Sequence, residues 1–311
     1  MADTAFTDGV TQSAAAWAND VNSMTYGYLT SVAGTNTVTA TGPQSLSSYS
    51  TVNRFVVVPA ATNTGATTIN VSSLGAKNVY ARGASCTGGE LVSGVPALLQ
   101  YDGTRFHILN PTKPPTRQTF LSGSGTYTTP AGVTQINIRM VGGGGGGGAT
   151  TTNSGTSGTA STFGGSLSAG GGSGAGATGG SVAGGGTASG GDINIGGSSG
   201  GGGFTNSVAN VSPPGADGGN SVFGGGGKGA TNTAGSDAAT NSGSGGGGGG
   251  GSSGTGAGGG GGAGGYVEKL ITSPSATYTY TVGAAGTGGA AGGNAGGNGA
   301  AGIIIVDEYY T

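Results

Sequence analysis

Residues 136–150 read INIRMVGGGGGGGAT, so that a strand-like sequence runs directly into consecutive glycines. Ile136, Ile138 and Met140 alternate with polar residues, which is the period of a strand with one buried face. Glycine loses more backbone freedom on folding than any other residue. The tract therefore predicts either a loose tether or an ordered segment whose backbone groups bond to neighbours.

Strand-like sequence returns far downstream, at 266–271, 278–282 and 303–309. Together with the strands of 119–141, these pieces predict a small antiparallel β-sandwich. The chain between them would be a free loop of roughly 125 residues, which compact domains rarely contain. The sequence thus favours an ordered glycine-rich region over a tether.

The tract at 283–302 has a period of three, because glycine occupies every third position with one shift of register at 292–293. Three residues per turn is the repeat of a polyproline-II-type helix, which forms no internal hydrogen bonds. Its N–H and C=O groups can instead bond sideways. The tracts 142–148, 245–251 and 258–262 have similar lengths. We therefore expect a polyglycine-II bundle enclosed by the sandwich.

The sequence before this region divides into three parts. Residues 35–110 hold short alternating apolar runs and an Asp102-Gly103 pair between two of them, which predicts a β-domain with a hairpin. Residues 111–118 contain three prolines and are expected to form a linker. Residues 119–311 form the glycine-rich domain. The fold class expected is mainly β, with polyglycine-II segments and a short N-terminal helix.

That helix is predicted over 11–30, within an attachment segment at 1–34. Its apolar residues recur at spacings of three and four, which is typical of a packing seam. A helix this short is not stable alone, so its seam needs a partner. The partner can be its own domain, further copies of the chain or another protein. The seam consists of Ala14, Trp17, Val21, Met24 and Tyr28.

Composition argues against several classes of function. Of 311 residues, 79 are glycine and only 6% are charged, with a net charge of -2, so the clustered Lys and Arg of a nucleic-acid-binding protein are missing. No apolar run reaches the roughly 20 residues that a bilayer crossing needs, and the N-terminal residues do not resemble a signal peptide. We expect no membrane insertion, and synthesis in a host cytoplasm.

The sequence also offers few residues for catalysis or for metal binding. His107 is the only histidine and Cys86 the only cysteine, so neither a transition-metal site nor an intrachain disulfide is expected. Asp192, Asp217 and Asp237 lie among glycines, where turn residues are expected rather than a glycosidase pair. The sequence predicts a protein that is not an enzyme and binds no cofactor.

The glycine-rich region resembles the C-terminal domain of bacteriophage tail fibres. The resemblance covers 119–311, in Thr119–Val133, Met140–Gly148 and Gly264–Ile305, and extends to Leu74–Val79 and Tyr101–Phe106. It implies a virion protein that is a homotrimer, attached to the tail or to an upstream fibre protein through 1–34. In adhesins built on polyglycine-II bundles, turns at the distal tip contact the host receptor. The strand framework here departs from that type and leaves the position of a tip open.

Receptor binding is therefore the leading interpretation, with a bacterial surface glycan or outer-membrane protein as partner. A purely structural fibre or connector subunit, without receptor contact, is the alternative. The contact candidates lie in the insertions 205–222 and 230–244, and each also suits a turn with left-handed backbone. They are Asn206, Asn210, Asp217, Asn220, Asn232, Asp237 and Asn241.

Overall fold

The computed structural model describes residues 27–43, 46–51, 53–150, 152–179, 181–206, 208–290 and 293–310. Across these ranges every regular element is a β-strand, so the expectation of a mainly β protein is confirmed. The chain divides into two compact units, one formed by 1–114 with 310–311 and the other by 115–309.

The first unit is a nine-stranded sheet with the strand order β1-β4-β8-β9-β6-β5-β3-β2, with β7 paired to β6. Parallel and antiparallel pairs alternate irregularly along it. Its strands are β1 (Gly27–Tyr28), β2 (Thr30–Ala33), β3 (Thr37–Thr41), β4 (Arg54–Val57), β5 (Thr67–Val71), β6 (Lys77–Ala81), β7 (Ala84–Ser85), β8 (Ala97–Tyr101) and β9 (Phe106–Ile108).

One face of this sheet encloses the core of the unit. Side chains alternate between buried and exposed along β4, β5 and β8, as a sheet with one covered face requires. The predicted Asp-Gly hairpin is confirmed, since β8 and β9 are antiparallel and Gly103 has a φ of 101°. Asp102 accepts the N–H groups of Thr104 and Arg105, both at 2.8 Å, and so fixes the turn.

The helix predicted over 11–30 is wrong in its last part. Gly27 and Tyr28 form β1, which pairs in parallel with β4, and Thr30–Ala33 forms β2. Tyrosine is favoured in strands, and pairing with β4, which is distant in sequence, outweighs the local helical spacing. The other seam residues, Ala14, Trp17, Val21 and Met24, lie outside the described residues.

A buried carboxylate holds the loop between β7 and β8. Glu90 is 5% exposed and accepts hydrogen bonds from Asn63 Nδ2 (2.9 Å), from the N–H and Oγ1 of Thr87 (3.0 and 2.8 Å) and from the N–H of Gly88 (2.8 Å). Burial alone would raise the pKa of Glu90, but these donors outweigh it and lower the pKa to about 2. The loop is therefore stabilised by the ionised form.

We expect Glu90→Gln to destabilise the first unit by roughly 3 kcal/mol, because either placement of the new amide turns its NH2 group towards two donors. A carboxyl group with a lowered pKa stabilises the fold above its unfolded-state pKa and loses that effect as pH falls through the folded-state value. The advantage of the natural chain over the variant should thus be full at pH 7. It should shrink between about pH 4.5 and pH 2.

Urea midpoints of both chains between pH 7 and pH 2 measure this difference. Asp102→Asn is the control, since Asp102 is an exposed carboxylate whose pKa is also lowered to about 2, chiefly by the N–H groups of Arg105 and Thr104. Its loss of stability should be smaller because solvent screens the group. Equal losses for the two variants would contradict the role given to Glu90.

The second unit is a β-sandwich of two antiparallel five-stranded sheets, with the orders β10-β19-β12-β17-β16 and β11-β18-β13-β14-β15. Its strands are β10 (Thr116–Phe120), β11 (Ser124–Thr128), β12 (Gln135–Val141), β13 (Ser161–Phe163), β14 (Leu167–Ala169), β15 (Ala188–Ser189), β16 (Ile193–Ile195), β17 (Tyr266–Ile271), β18 (Thr277–Thr281) and β19 (Ile303–Tyr309).

The sandwich core lies between the two sheets. Ile138 and Ile304 of the first sheet pack in one cluster with Tyr127 and Phe163 of the second. The predicted strands at the two ends of the glycine-rich region pair as expected, since β12 lies between β17 and β19. Strands β13 to β16 were not predicted, although they coincide with isolated apolar residues in the glycine-rich sequence.

Between these strands the chain runs outward from the sandwich and back again several times as extended glycine-rich segments. The segment 142–150 lies at their centre. Its N–H groups donate laterally at 2.8–3.0 Å to three neighbouring segments in strict rotation. One neighbour accepts the N–H groups of 142, 145 and 148 at the carbonyls of 265, 262 and 259. A second accepts those of 143, 146 and 149 at the carbonyls of 159, 156 and 153. The third accepts those of 144, 147 and 150 at the carbonyls of 300, 297 and 294.

The carbonyl groups of the same segment accept from three further neighbours. The donors are 172 and 175, 286 and 289, and 246 and 249, each pair spaced by three residues. The segment is thus bonded on all sides, with antiparallel neighbours receiving its N–H groups and parallel neighbours donating to its carbonyls. This rotation repeats every three residues, as the glycine spacing of 283–302 predicts.

The segments approach one another too closely for side chains. A Cβ atom added to any glycine from 142 to 148 would lie 1.9–2.2 Å from a carbonyl oxygen of a neighbouring segment. Glycine is therefore required here by the close approach of another backbone. Lateral hydrogen bonds at every step are what offsets the entropy lost by ordering such a sequence.

Candidate functional site

The turns of the glycine-rich segments form two groups. The far end is defined here as the end opposite the sandwich, and the near end as the end beside it. The chain leaves β12 and turns near Thr150, leaves β14 and turns near Thr178, and leaves β16 and turns between Phe204 and Pro213. Three later turns reach the same far end, around Thr233, Ser253 and Asn294.

Hydrogen bonds join the far-end turns to one another. Asn294 N–H donates to Thr150 Oγ1 at 2.9 Å, and Thr178 Oγ1 donates to the carbonyl of Thr150. Asn210 N–H donates to Ser253 Oγ at 2.8 Å. Asn294 Nδ2 also reaches the carbonyl of Gly250 at 2.6 Å. The far end is therefore a connected surface, in which one turn buttresses the next.

Three of the predicted contact residues lie at this far end. Asn206 caps its own turn, accepting the N–H of Val208 at 2.9 Å and donating to the carbonyl of Val211 at 2.9 Å. Asn210 and Asn232 are exposed and have φ values of 67° and 56°. Left-handed backbone is the conformation that asparagine tolerates best among residues with side chains. Both residues are turn formers whose amide groups face solvent.

The other four predicted residues lie away from the far end. Asn220 and Asn241 are in near-end turns, where Asn220 Oδ1 accepts the N–H of Gly226 at 2.8 Å and Asn241 has a φ of 56°. Asp237 lies on the side of the bundle and accepts the N–H of Asn298 at 2.6 Å. The structure therefore does not gather the seven candidates into one site.

Asp217, the last of these four, is also on the side of the bundle. Its carboxylate accepts Lys228 Nζ at 2.8 Å and the N–H of Gly229 at 2.8 Å. The hydrogen bond from Lys228 is the largest cause of a lowered pKa at Asp217, followed by that from Gly229. Because Lys228 and Gly229 belong to one neighbouring segment, Asp217 ties its own segment to that one.

The far end also carries exposed apolar side chains. Phe204 is 54% exposed and Val208 61% exposed, and Val211 is exposed beside them. The backbone of Phe204 pairs with Ala257 and leaves the ring outside. The far-end surface thus combines amides and hydroxyl groups with exposed apolar side chains.

The described ranges contain no group of three or more His, Cys, Asp or Glu side chains placed to hold a metal ion. Within the same ranges no helix has the length and apolar character to cross a bilayer. Comparison with protein-family models, with curated proteins and with solved structures finds no match to the chain.

Proposed function

We propose that this chain is a bacteriophage tail fibre protein that attaches to the host cell through the far end of its glycine-rich bundle. The observation that carries the proposal is the connected set of turns at that end, supported from beneath by laterally bonded segments. Binding groups on a rigid support lose little conformational entropy when they bind. The partner is a bacterial surface glycan or outer-membrane protein.

The support itself is proposed to be a bundle of polyglycine-II helices. Two observations support this proposal: hydrogen bonds rotate around the segment 142–150 every three residues, and glycines 142–148 leave no room for a Cβ atom. Such a bundle holds each turn from both ends. It converts a sequence that would otherwise be flexible into a platform for presenting short turns.

Attachment to the virion through 1–34 and assembly as a homotrimer complete the proposal. Both come from the resemblance of 119–311 to the glycine-rich domain of phage tail fibres. The protein acts in the particle and has no catalytic or cofactor-dependent step.

The test removes far-end amides without disturbing the backbone. Asn210→Gly and Asn232→Gly keep the left-handed conformation, because glycine adopts positive φ freely. We expect the double variant to reduce adsorption of phage particles to host cells about tenfold or more, as the loss of two polar contacts worth about 1 kcal/mol each implies. Adsorption is measured as the fall of free phage with time.

Asn241→Gly is the matched control, because Asn241 has the same φ as Asn232 but lies at the near end. It should leave adsorption unchanged. Particles that assemble normally and adsorb equally with all three substitutions would favour the structural alternative, in which the chain is a fibre or connector subunit. Equal loss for the far-end and near-end variants would place the receptor contact elsewhere.

A further inference from the structure

The outer face of the sheet in the first unit carries an apolar row. Tyr28 of β1 lies beside Val56 of β4, Val56 is opposite Leu98 of β8, and Leu109 donates its N–H to the carbonyl of Leu98 at 2.8 Å. These side chains point away from the core, because their chain neighbours Phe55, Leu99 and Ile108 are buried. Tyr28 is 70% exposed and Leu109 48% exposed.

On one side of the row the same face becomes polar, which sets the row apart there. One step along the strands lie Arg54, Gln100 and His107, paired in register across β4, β8 and β9. An outward sheet face is ordinarily polar where it meets water. Contiguous exposed apolar side chains on a soluble unit usually mark a surface that another segment covers. The row, with Val58 and Val95 beyond it, has that character.

We propose that residues 11–26 of the same chain lie on this row, with Trp17, Val21 and Met24 contacting it. The chain enters the unit at Gly27, so the segment is tethered at the edge of the row. Tethering gives an effective concentration in the millimolar range, so that even weak contacts are occupied. The inference concerns the isolated chain and does not depend on the attachment function.

Length and spacing suit this occupant. The row crosses four neighbouring strands and is about 14 Å long at the usual strand separation. The ten residues from Trp17 to Gly27 reach about 15 Å as a helix and about 33 Å when extended. The segment therefore reaches Leu109 in either conformation.

Charge favours the same pairing. Residues 1–26 contain Asp3, Asp8 and Asp20 and neither Lys nor Arg. The remainder of the unit, 27–114, contains five cationic side chains and two acidic ones, a net charge of 5 − 2 = +3. Those are Arg54, Lys77, Arg82, Arg105 and Lys113, with Glu90 and Asp102. A second copy of the sheet would bring like charges together, whereas the N-terminal segment brings opposite ones.

Trp17 is the only tryptophan in the chain, so its fluorescence reports on the segment directly. In the full chain we expect blue-shifted emission and protection from acrylamide. Leu98→Lys with Leu109→Lys should shift the emission to the red and raise the quenching constant several-fold. Gln100→Lys is the control and is compared with Leu98→Lys alone, because each adds one charge to the same face of β8, outside the row or within it. Gln100→Lys should change neither quantity.

The sole cysteine, Cys86, is buried in the core of the unit and shows whether each variant is folded. If the double variant exposes Cys86 to thiol reagents, the milder Leu109→Ser replaces it, since that side chain is already about half exposed. Light scattering and dilution identify the occupant. Trp17 that stays shielded at every dilution and responds to the row variants supports the proposal.

Three results would overturn it. Trp17 exposed in the natural chain would leave the row uncovered by this segment. Shielding that persists in the row variants would place Trp17 on another surface. Shielding that disappears on dilution, together with dissociation of an oligomer, would show that a second copy covers the row.

Discussion

Gly145→Ala is expected to destabilise the second unit by about 3 kcal/mol or more, the largest effect of any single methyl group considered. The new Cβ would lie 2.0 Å from the carbonyl oxygen and 2.4 Å from the carbonyl carbon of Ser173. Both are backbone atoms and cannot rotate away. The segment that carries Ser173 must move, which breaks its lateral bonds to the central segment, such as Ala175 N–H to the carbonyl of Gly146 at 2.9 Å.

Gly184→Ala supplies the matched control. It makes the same chemical change on another glycine-rich segment, but the nearest atom to its added Cβ is Ser173 Oγ at 3.8 Å. This variant should be neutral or stabilised by up to about 1 kcal/mol, because alanine restricts the unfolded chain. Urea unfolding midpoints of the natural chain and of the two variants measure both changes in stability. Equal stabilities of the two variants would mean that the segments are less closely packed than described here.

The outline of the fold follows from local sequence in several places. The alternation of Ile136, Ile138 and Met140 identifies β12, and the Asp102-Gly103 pair identifies the β8–β9 hairpin. The three-residue spacing of glycine in 283–302 predicts lateral hydrogen bonds. These signals succeed because each depends on residues close together in the chain, where side-chain period and turn chemistry act directly.

The missed strands β13 and β14 had a weaker signal. Phe163 and Leu167 are opposite each other across a turn in which Gly164 and Gly165 have φ values of 63° and 72°. Consecutive glycines between apolar residues are a recognised hairpin signal. Here that signal is lost in a region where glycine is common everywhere. Strand β1 was missed for another reason, since its two residues are held only by β4, far along the chain.

The location of the candidate site could not be predicted at all. Every pass of the chain reverses direction, so the end at which a turn lies depends on counting all the passes before it. One missed strand pair changes the count for every later turn. Asn232 and Asn241 are equivalent by sequence and by φ, yet they lie at opposite ends of the bundle. Only the three-dimensional path separates contact candidates from turn residues.

The amide hydrogens of the segment 142–150 are expected to exchange at least about a thousandfold more slowly than those of the far-end turns. All its N–H groups are hydrogen bonded to neighbouring segments at 2.8–3.0 Å, and glycines 142–148 are buried. Exchange of one N–H group requires several segments to separate, so its opening free energy approaches the unfolding free energy of the whole unit, whereas turns open locally.

The exposed turn glycine Gly254 provides the comparison, since the intrinsic exchange rate of its amide is that of the buried glycines. Mass spectrometry of peptides covering 141–163, 205–222 and 251–257 measures both classes after a common exchange time. Rapid exchange throughout 142–265 would contradict the bundle, and the turns would then lack the support on which their proposed binding depends.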